Sequence, residues 1–302
     1  MKIGYYMFVL ADKVIGKVPI GITRAVAHAG GTAYYYLVGG KRRLVRRNMR
    51  RALGPEASEA EVRRTARSVC RYYADYWVDI FWLPTKSREY VLERFGKVGE
   101  EPLERAIGAG RGTLVVLPHF GSWEAGAVYL SSLGKFAAVA EVLKPPELFD
   151  MFCRLRKGVG IDIFPYDHKP ETRDLLVEAL RENTILALLC DRDLKGKGIE
   201  VEFFGERTTL PPGPAALAMR SGSPIVCVNV RNVEGGWVGH ATEPIWVEAP
   251  ADEEGKQEVV ARTMQEVAHR LEELIREDPA QWHMMMPAWP SDRDGSGGPA
   301  KG

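Results

Sequence analysis

Cysteine is scarce in this 302-residue chain: Cys70, Cys153, Cys190 and Cys227 stand far apart, with no C-x-x-C pair and no Cys/His cluster at zinc-ligand spacing. That excludes a disulfide scaffold and leaves reduced, mostly buried thiols as the expectation. Long apolar runs are missing too. Residues 3–11 (IGYYMFVLA) are apolar, but Asp12 and Lys13 end the run well short of the ~18 residues a spanning helix needs. Lys2 would suit a signal peptide, but Asp12 interrupts and no small-x-small cleavage site follows. Nor is there charge of one sign, since 41 Lys+Arg face 40 Asp+Glu, and no whole-molecule field draws the chain to nucleic acid.

What is present is 45% hydrophobic residues, enough for a large core in one domain. Through residue 38 the chain is rich in Tyr, Val and Ile with scattered Lys2, Lys13, Lys17 and Arg24, a composition for amphipathic helices on the core or in a membrane interface. A basic block follows, Lys41, Arg42, Arg43, Arg46, Arg47, Arg50 and Arg51, then Arg63, Arg64, Arg67 and Arg71. Without interleaved stacking aromatics it fits an anionic lipid surface better than nucleic acid. We therefore expect one domain over 1–290, with 1–55 as its basic membrane-associating helices and 291–302 as a disordered tail.

Ser58 and Glu61 form a capping box before Val62, Ala66, Val69, Tyr73, Trp77 and Ile80, whose steps of three and four predict one buried helical stripe. Beyond it, strands at 113–118, 136–140, 161–164, 184–190, 224–230 and 240–247 alternate with helices at 102–110, 123–133, 146–157, 171–181, 214–221 and 258–277. The alternation predicts an α/β fold: a central, mostly parallel twisted sheet flanked by helices on both faces.

Three of these strands run into an ionisable residue, His119, Glu141 and Asp191, at the sheet edge where α/β folds bind ligands. The segment PHFGSWEAG (118–126) is the most informative. His119 leaves a strand, Gly121 permits a sharp turn, and Glu124 opens the next helix, so its carboxylate is placed to fold back onto the imidazole and fix its tautomer. The other ring nitrogen would then take a proton from a substrate hydroxyl. The same spacing also suits a strand-end His bonded to a backbone carbonyl, with Glu124 stabilising the helix N-terminus. Ser122 lacks the G-x-S-x-G elbow, the glycines at 108, 110 and 112 precede their strand, and Gly196-Lys197 lacks the rest of a P-loop. No metal and no resident cofactor is implied.

His119 and Glu124 together resemble the HX4D/E motif of glycerolipid acyltransferases. The stretches LPHFGSWE, VAEVLKPPELFDMFCRLRKGVG, LCDRDLKGKGIEVEFFGERTTLPPGPAALA and DPAQWHMMMPAW, in that order, are similar to the bacterial lipid A late acyltransferases and, more closely, to phosphatidylinositol mannoside acyltransferases. The resemblance implies a peripheral enzyme on the cytoplasmic face of the inner or plasma membrane. Such an enzyme moves a fatty acyl group, usually palmitoyl, from acyl-coenzyme A to a mannose 6-hydroxyl of phosphatidylinositol mannosides, with acyl-coenzyme A as co-substrate. Residue by residue, it implies His119 as base and Glu124 as its carboxylate, although the mannoside enzymes carry Asp there. Glu141 and Arg156 fall among charged residues of the active-site region, Asp191 falls where Glu is usual, and these three with Arg192 form the expected substrate-binding set. Donors for the oxyanion would be backbone N–H groups at 121–123 or Arg156, which could instead hold a phosphate. The rival readings are another lipid acceptor, a thioesterase or esterase using Ser122 or water, and a lipid-binding protein that turns nothing over.

Overall fold

The computed structural model describes residues 2–142, 145–167, 169–193 and 196–294. Four helices come first, α1 (Lys2–Ile15), α2 (Ile20–Leu37), α3 (Gly39–Leu53) and α4 (Glu59–Trp82), then the short α5 (Arg88–Leu92). The alternating body runs β1 (Phe95–Val98), α6 (Glu100–Gly108), β2 (Thr113–Leu117), α7 (Trp123–Leu133), β3 (Phe136–Glu141), α8 (Pro146–Lys157), β4 (Asp162–Tyr166), α9 (Pro170–Arg181) and β5 (Ile185–Leu189). A hairpin of β6 (Ile199–Phe203) and β7 (Glu206–Leu210) interrupts it. After the hairpin come α10 (Gly213–Ser221), β8 (Ile225–Val233), β9 (Gly236–Ala241), α11 (Glu253–Arg276) and α12 (Pro290–Asp294).

Seven strands form one sheet in the order β1-β9-β8-β2-β5-β3-β4. The five from β8 to β4 are mutually parallel, and only the β8–β9 step is antiparallel. The expected mostly parallel sheet is therefore present, and β2 reads as an unbroken apolar run because both its faces are covered. Side chains alternate across the sheet. Leu114 and Val116 join α3, α4, α9, α10 and α11 in one core, while Val115 and Leu117 join α5, α6 and α7 in the other.

Ser58 caps α4 by accepting from the Glu61 N–H at 3.1 Å, as the capping box predicts. Val62, Ala66, Val69 and Ile80 are buried, but Tyr73 and Trp77 are only half-buried. Asp75 and Asp79 are buried instead, because α2 lies against this side of α4 and supplies His28 to Asp75 (2.6 Å) and Arg24 to Asp79 (3.1 Å).

Sequence patterning missed β1 and the β6–β7 hairpin, and it set β9 and α11 too late. Trp237 and Ala241 are the buried positions of β9, and downstream Ile245 makes only an isolated bridge to Ile225. Asp252 caps α11 by accepting from the Gly255 N–H at 2.7 Å, so the helix begins at Glu253, five residues ahead of the expected start. The tail expected over 291–302 is also corrected in its first part. Residues 291–294 belong to α12, where the buried Asp292 accepts from Arg51 at 3.0 Å; the remainder lies outside the described residues.

Candidate active site

The register of the sheet builds the site. β2 and β5 are neighbours with Leu117 opposite Leu189, and each strand carries its ionisable residue two positions beyond that pair. His119 and Asp191 therefore emerge side by side at the carboxyl edge, and His119 Nδ1 meets Asp191 Oδ1 at 2.5 Å. Asp191 is buried, and its second oxygen accepts from the Trp282 indole N–H at 2.9 Å. His119 Nε2 has no hydrogen-bond partner among the described residues, and 27% of the His119 side chain stays accessible. A carboxylate thus holds the proton on Nδ1 and leaves Nε2 as an open base, as in any imidazole whose tautomer is set by its second partner.

The carboxylate on His119 is the first correction to the sequence reading, which assigned it to Glu124. Glu124 is buried in the first turn of α7 and pairs with Arg156 of α8, Nη2 to Oε1 at 2.9 Å and Nε to Oε1 at 3.2 Å. The Arg156 guanidinium lies 4.7 Å from the centre of the Trp123 ring. Of the backbone donors expected at 121–123, two point elsewhere. The Gly121 N–H donates to Gln281 O at 3.0 Å and the Ser122 N–H to Val230 O at 3.1 Å, so both amides are already engaged. Ser122 itself is fully buried with its hydroxyl beside the Asp79 carboxylate, a poor place for a nucleophile.

Gly121 is required here on two counts. Its φ is +51°, and a Cβ would sit 1.9 Å from Val230 O. The tight turn lets the segment 281–283 run antiparallel beside 119–121, closed by the His283 N–H donating to His119 O at 2.8 Å. Behind it, Trp282 is wedged among Phe203, Phe204 and Trp289, whose rings lie 5.3–6.3 Å from it. The FFG turn (203–205) and the QWH segment thus serve one end: they fix the indole that holds Asp191.

Of the other expected residues, Glu141 closes β3 and is exposed, with its backbone opposite Tyr166 of β4. Arg192 follows Asp191 and donates through Nη2 to His283 O. Between α4, α7 and α8 a crevice touches the charged Asp79, Glu124 and Arg156, with Ile80, Leu83, Phe152 and Leu155 among its apolar walls. Its volume is about 10 Å³, room for one water.

Electrostatics favour an ionised acid beside a neutral base. Burial would raise the Asp191 carboxyl, but His119, Arg192 and the Trp282 hydrogen bond outweigh it and hold the carboxyl well below the usual range. His119 is pulled below its ordinary value by burial, helped by Arg192 and opposed by Asp191. Burial and Arg192 hold His283 down to about 3, so it is neutral at physiological pH. Burial would lower Arg156, but Glu124 outweighs it and keeps the guanidinium charged.

The chain is similar to known proteins over most of its length. It is 34% identical to a phosphatidylinositol mannoside acyltransferase of Mycobacterium tuberculosis over 268 residues, 87% of this chain and 81% of the relative. It is 31% identical to the protein of the same name from Mycolicibacterium smegmatis over 283 residues, 93% and 89% of the two chains. Among solved structures, the 1-acyl-sn-glycerophosphate acyltransferase of Thermotoga maritima aligns over 82% of this chain and 97% of its own, with 14% identity and a TM-score of 0.34. The model of the bacterial lipid A biosynthesis acyltransferases matches residues 2–291. The chain belongs to that family and is an acyltransferase.

Proposed function

We propose that this acyltransferase moves a fatty acyl group, palmitoyl in the first instance, from acyl-coenzyme A to the mannose 6-hydroxyl of phosphatidylinositol mannosides. The names of its relatives support the acceptor. The observation that carries the chemistry is the His119–Asp191 pair with Nε2 open. Nε2 takes the proton of the sugar hydroxyl as its oxygen attacks the thioester carbonyl. Collapse of the tetrahedral adduct breaks the C–S bond, and the imidazolium returns the proton to the departing thiolate. Asp191 is ionised throughout and stabilises the imidazolium while it exists.

In this reading Glu124 and Arg156 brace one wall of the site, and Glu141 and Arg192 stand at its rim to meet the polar parts of the substrates. A palmitoyl chain far exceeds the crevice beside Glu124 and Arg156, so acyl binding there requires Phe152 and Leu155 of α8 to give way.

We place the enzyme peripherally on the cytoplasmic face of the membrane. No helix among the described residues is long and apolar enough to cross a bilayer. However, α1 is apolar on two sides. Phe8, Val9 and Ile15 pack on α4 and α8, while Tyr6, Met7, Leu10 and Val14 are exposed, and Ile22, Val26, Tyr36 and Leu37 of α2 continue the exposed set. Apolar residues facing outward beside exposed Lys13 and Lys17 suit insertion at an anionic interface.

The test is to incubate purified protein with palmitoyl-coenzyme A and a panel of mannosylated phosphatidylinositols, lysophospholipids and other lipid hydroxyls, and to identify by mass spectrometry which gains an acyl group. A product acylated on the mannose 6-hydroxyl is expected, and it should vanish with His119→Ala. Thioester loss at the same rate without acceptor would make the protein a thioesterase instead.

A further inference from the structure

The basic block of α3 is not spread evenly around the helix. Arg43, Arg46, Arg47 and Arg50 stand at positions i, i+3, i+4 and i+7, so they share one face. In the structure they line a cleft of about 540 Å³ between α3, the start of α4 and the segment 287–292. Its floor is apolar, from the buried Leu44 and Val62.

Four guanidinium groups at helical contact distance repel one another, and among the described residues two acids line the cleft to offset them. Glu59 is shared between Arg46, at 2.7 Å, and Arg50. The Asp292 carboxylate lies 3.3 Å from Arg47, which donates to the backbone oxygens of Ser291 and Asp292, and it accepts more closely from Arg51 at 3.0 Å, outside the cleft. Arg43 forms no ion pair among the described residues, and it and Arg47 are exposed. Four guanidinium groups against two acids leave a surplus of two positive charges, with the Arg43 fork open to phosphate oxygens and Arg47 held only by 3.3 Å bonds to backbone oxygens, in a volume that small-molecule sites commonly have.

We propose that this cleft is a second ligand site, separate from the His119–Asp191 centre, which binds a phosphate-bearing group: the headgroup of a phosphorylated lipid or a free phosphate ester. The phosphate oxygens bridge Arg43 and Arg47 with the fork of Arg46 and Arg50, and the carbon skeleton rests on Leu44 and Val62. Occupancy also reaches the catalytic centre through the chain. Pro287 and Asp292 wall the cleft, and a few residues earlier in that segment Trp282 holds Asp191. In addition, the buried Asn48 of α3 donates to Met284 O at 2.9 Å.

Binding to the full-length protein tests this, with two probes. Isothermal titration with adenosine 3',5'-bisphosphate reports a free phosphate ester. Flotation with phosphatidylcholine vesicles carrying a phosphatidylinositol monophosphate, against vesicles of equal charge made with phosphatidylserine, reports a lipid headgroup. The variant Arg43→Gln/Arg47→Gln removes the two exposed charges and keeps good helix formers. The control Arg63→Gln/Arg64→Gln removes the same charge from an exposed part of α4 outside the cleft. The expected result is saturable binding of at least one probe, weakened at least tenfold in the cleft variant and less than threefold in the control, with unchanged circular dichroism. Binding of the nucleotide identifies a free ester, and preference for the phosphoinositide vesicles identifies a headgroup; either supports the site. Failure of both probes, or equal losses in variant and control, overturns it. His119→Ala should bind as the parent does, so loss of the catalytic reading and loss of this one are told apart.

Discussion

Asp191→Asn tests the catalytic arrangement most sharply, because the change is isosteric and the hydrogen-bond inventory decides its outcome. The carboxylate accepts from two donors, His119 Nδ1–H at 2.5 Å and the Trp282 indole N–H at 2.9 Å. A side-chain amide offers one oxygen and one NH2 group. Trp282 is fully buried and its nitrogen can only donate, so the amide oxygen is drawn to it. The NH2 then faces His119, whose Nδ1 must become an acceptor. The proton moves to Nε2, the nitrogen that should be taking a proton from substrate.

The variant therefore keeps its fold and its imidazole but presents the wrong tautomer. General-base assistance contributes roughly 10²–10⁴-fold, so kcat should fall by that factor, about 2.7–5.4 kcal/mol in the barrier. Stability should change by no more than about 1 kcal/mol, the net worth of one hydrogen bond. Steady-state transfer from palmitoyl-coenzyme A to the mannoside acceptor reads the first, and urea unfolding reads the second. Asp191→Glu preserves both acceptor oxygens and should retain most of the lost rate. An Asn variant within threefold of the parent, or a Glu variant as impaired as Asn, would refute the assignment of Asp191 as the group that sets the His119 tautomer.

Burial and Arg192 lower His119, and the base works only unprotonated, so the acid limb of kcat/KM should lie below pH 6.5. Arg192→Gln removes one lowering influence and should move that limb upward. Glu124→Ala should destabilise the protein by about 3–5 kcal/mol in urea unfolding, because it strands the buried Arg156 charge; Glu124→Ala with Arg156→Met should recover much of that loss. His283 is held to about 3 against an unfolded value near 6.5, so the unfolded chain binds the extra proton first as pH falls. Between pH 6.5 and 4.5 this single residue should remove about 2 kcal/mol of stability. His283→Gln should abolish that part of the slope, measured as the difference between the two unfolding curves.

The sheet was legible because its strands are apolar runs ended by turn residues, and the alternation with helices leaves a mostly parallel arrangement as the natural solution. Hairpin β6–β7 was passed over although β6 (IEVEF) alternates strictly, because β7 (ERTTL) alternates only weakly and the turn between them places Phe204 at φ +54° before Gly205, where Asn or Asp is the usual signal. The active site shows the same limit in a sharper form. His119 and Asp191 were both visible as charged residues just past strand ends, yet the sequence reading joined His119 to Glu124 because five residues of chain are nearer than seventy-two. What makes Asp191 the partner is strand order. β5 inserts between β2 and β3, and its register with β2 lines up the two positions that follow Leu117 and Leu189. Periodicity within a strand says nothing about which strand lies beside it. The one signal available was the equal offset of the two residues from their strands, and it becomes meaningful only once the neighbours are known. Glu124 then takes the other role that its helix-start position allows, closing on a cation from α8, and the motif residue that looked like half of a dyad becomes half of a buried ion pair between α7 and α8.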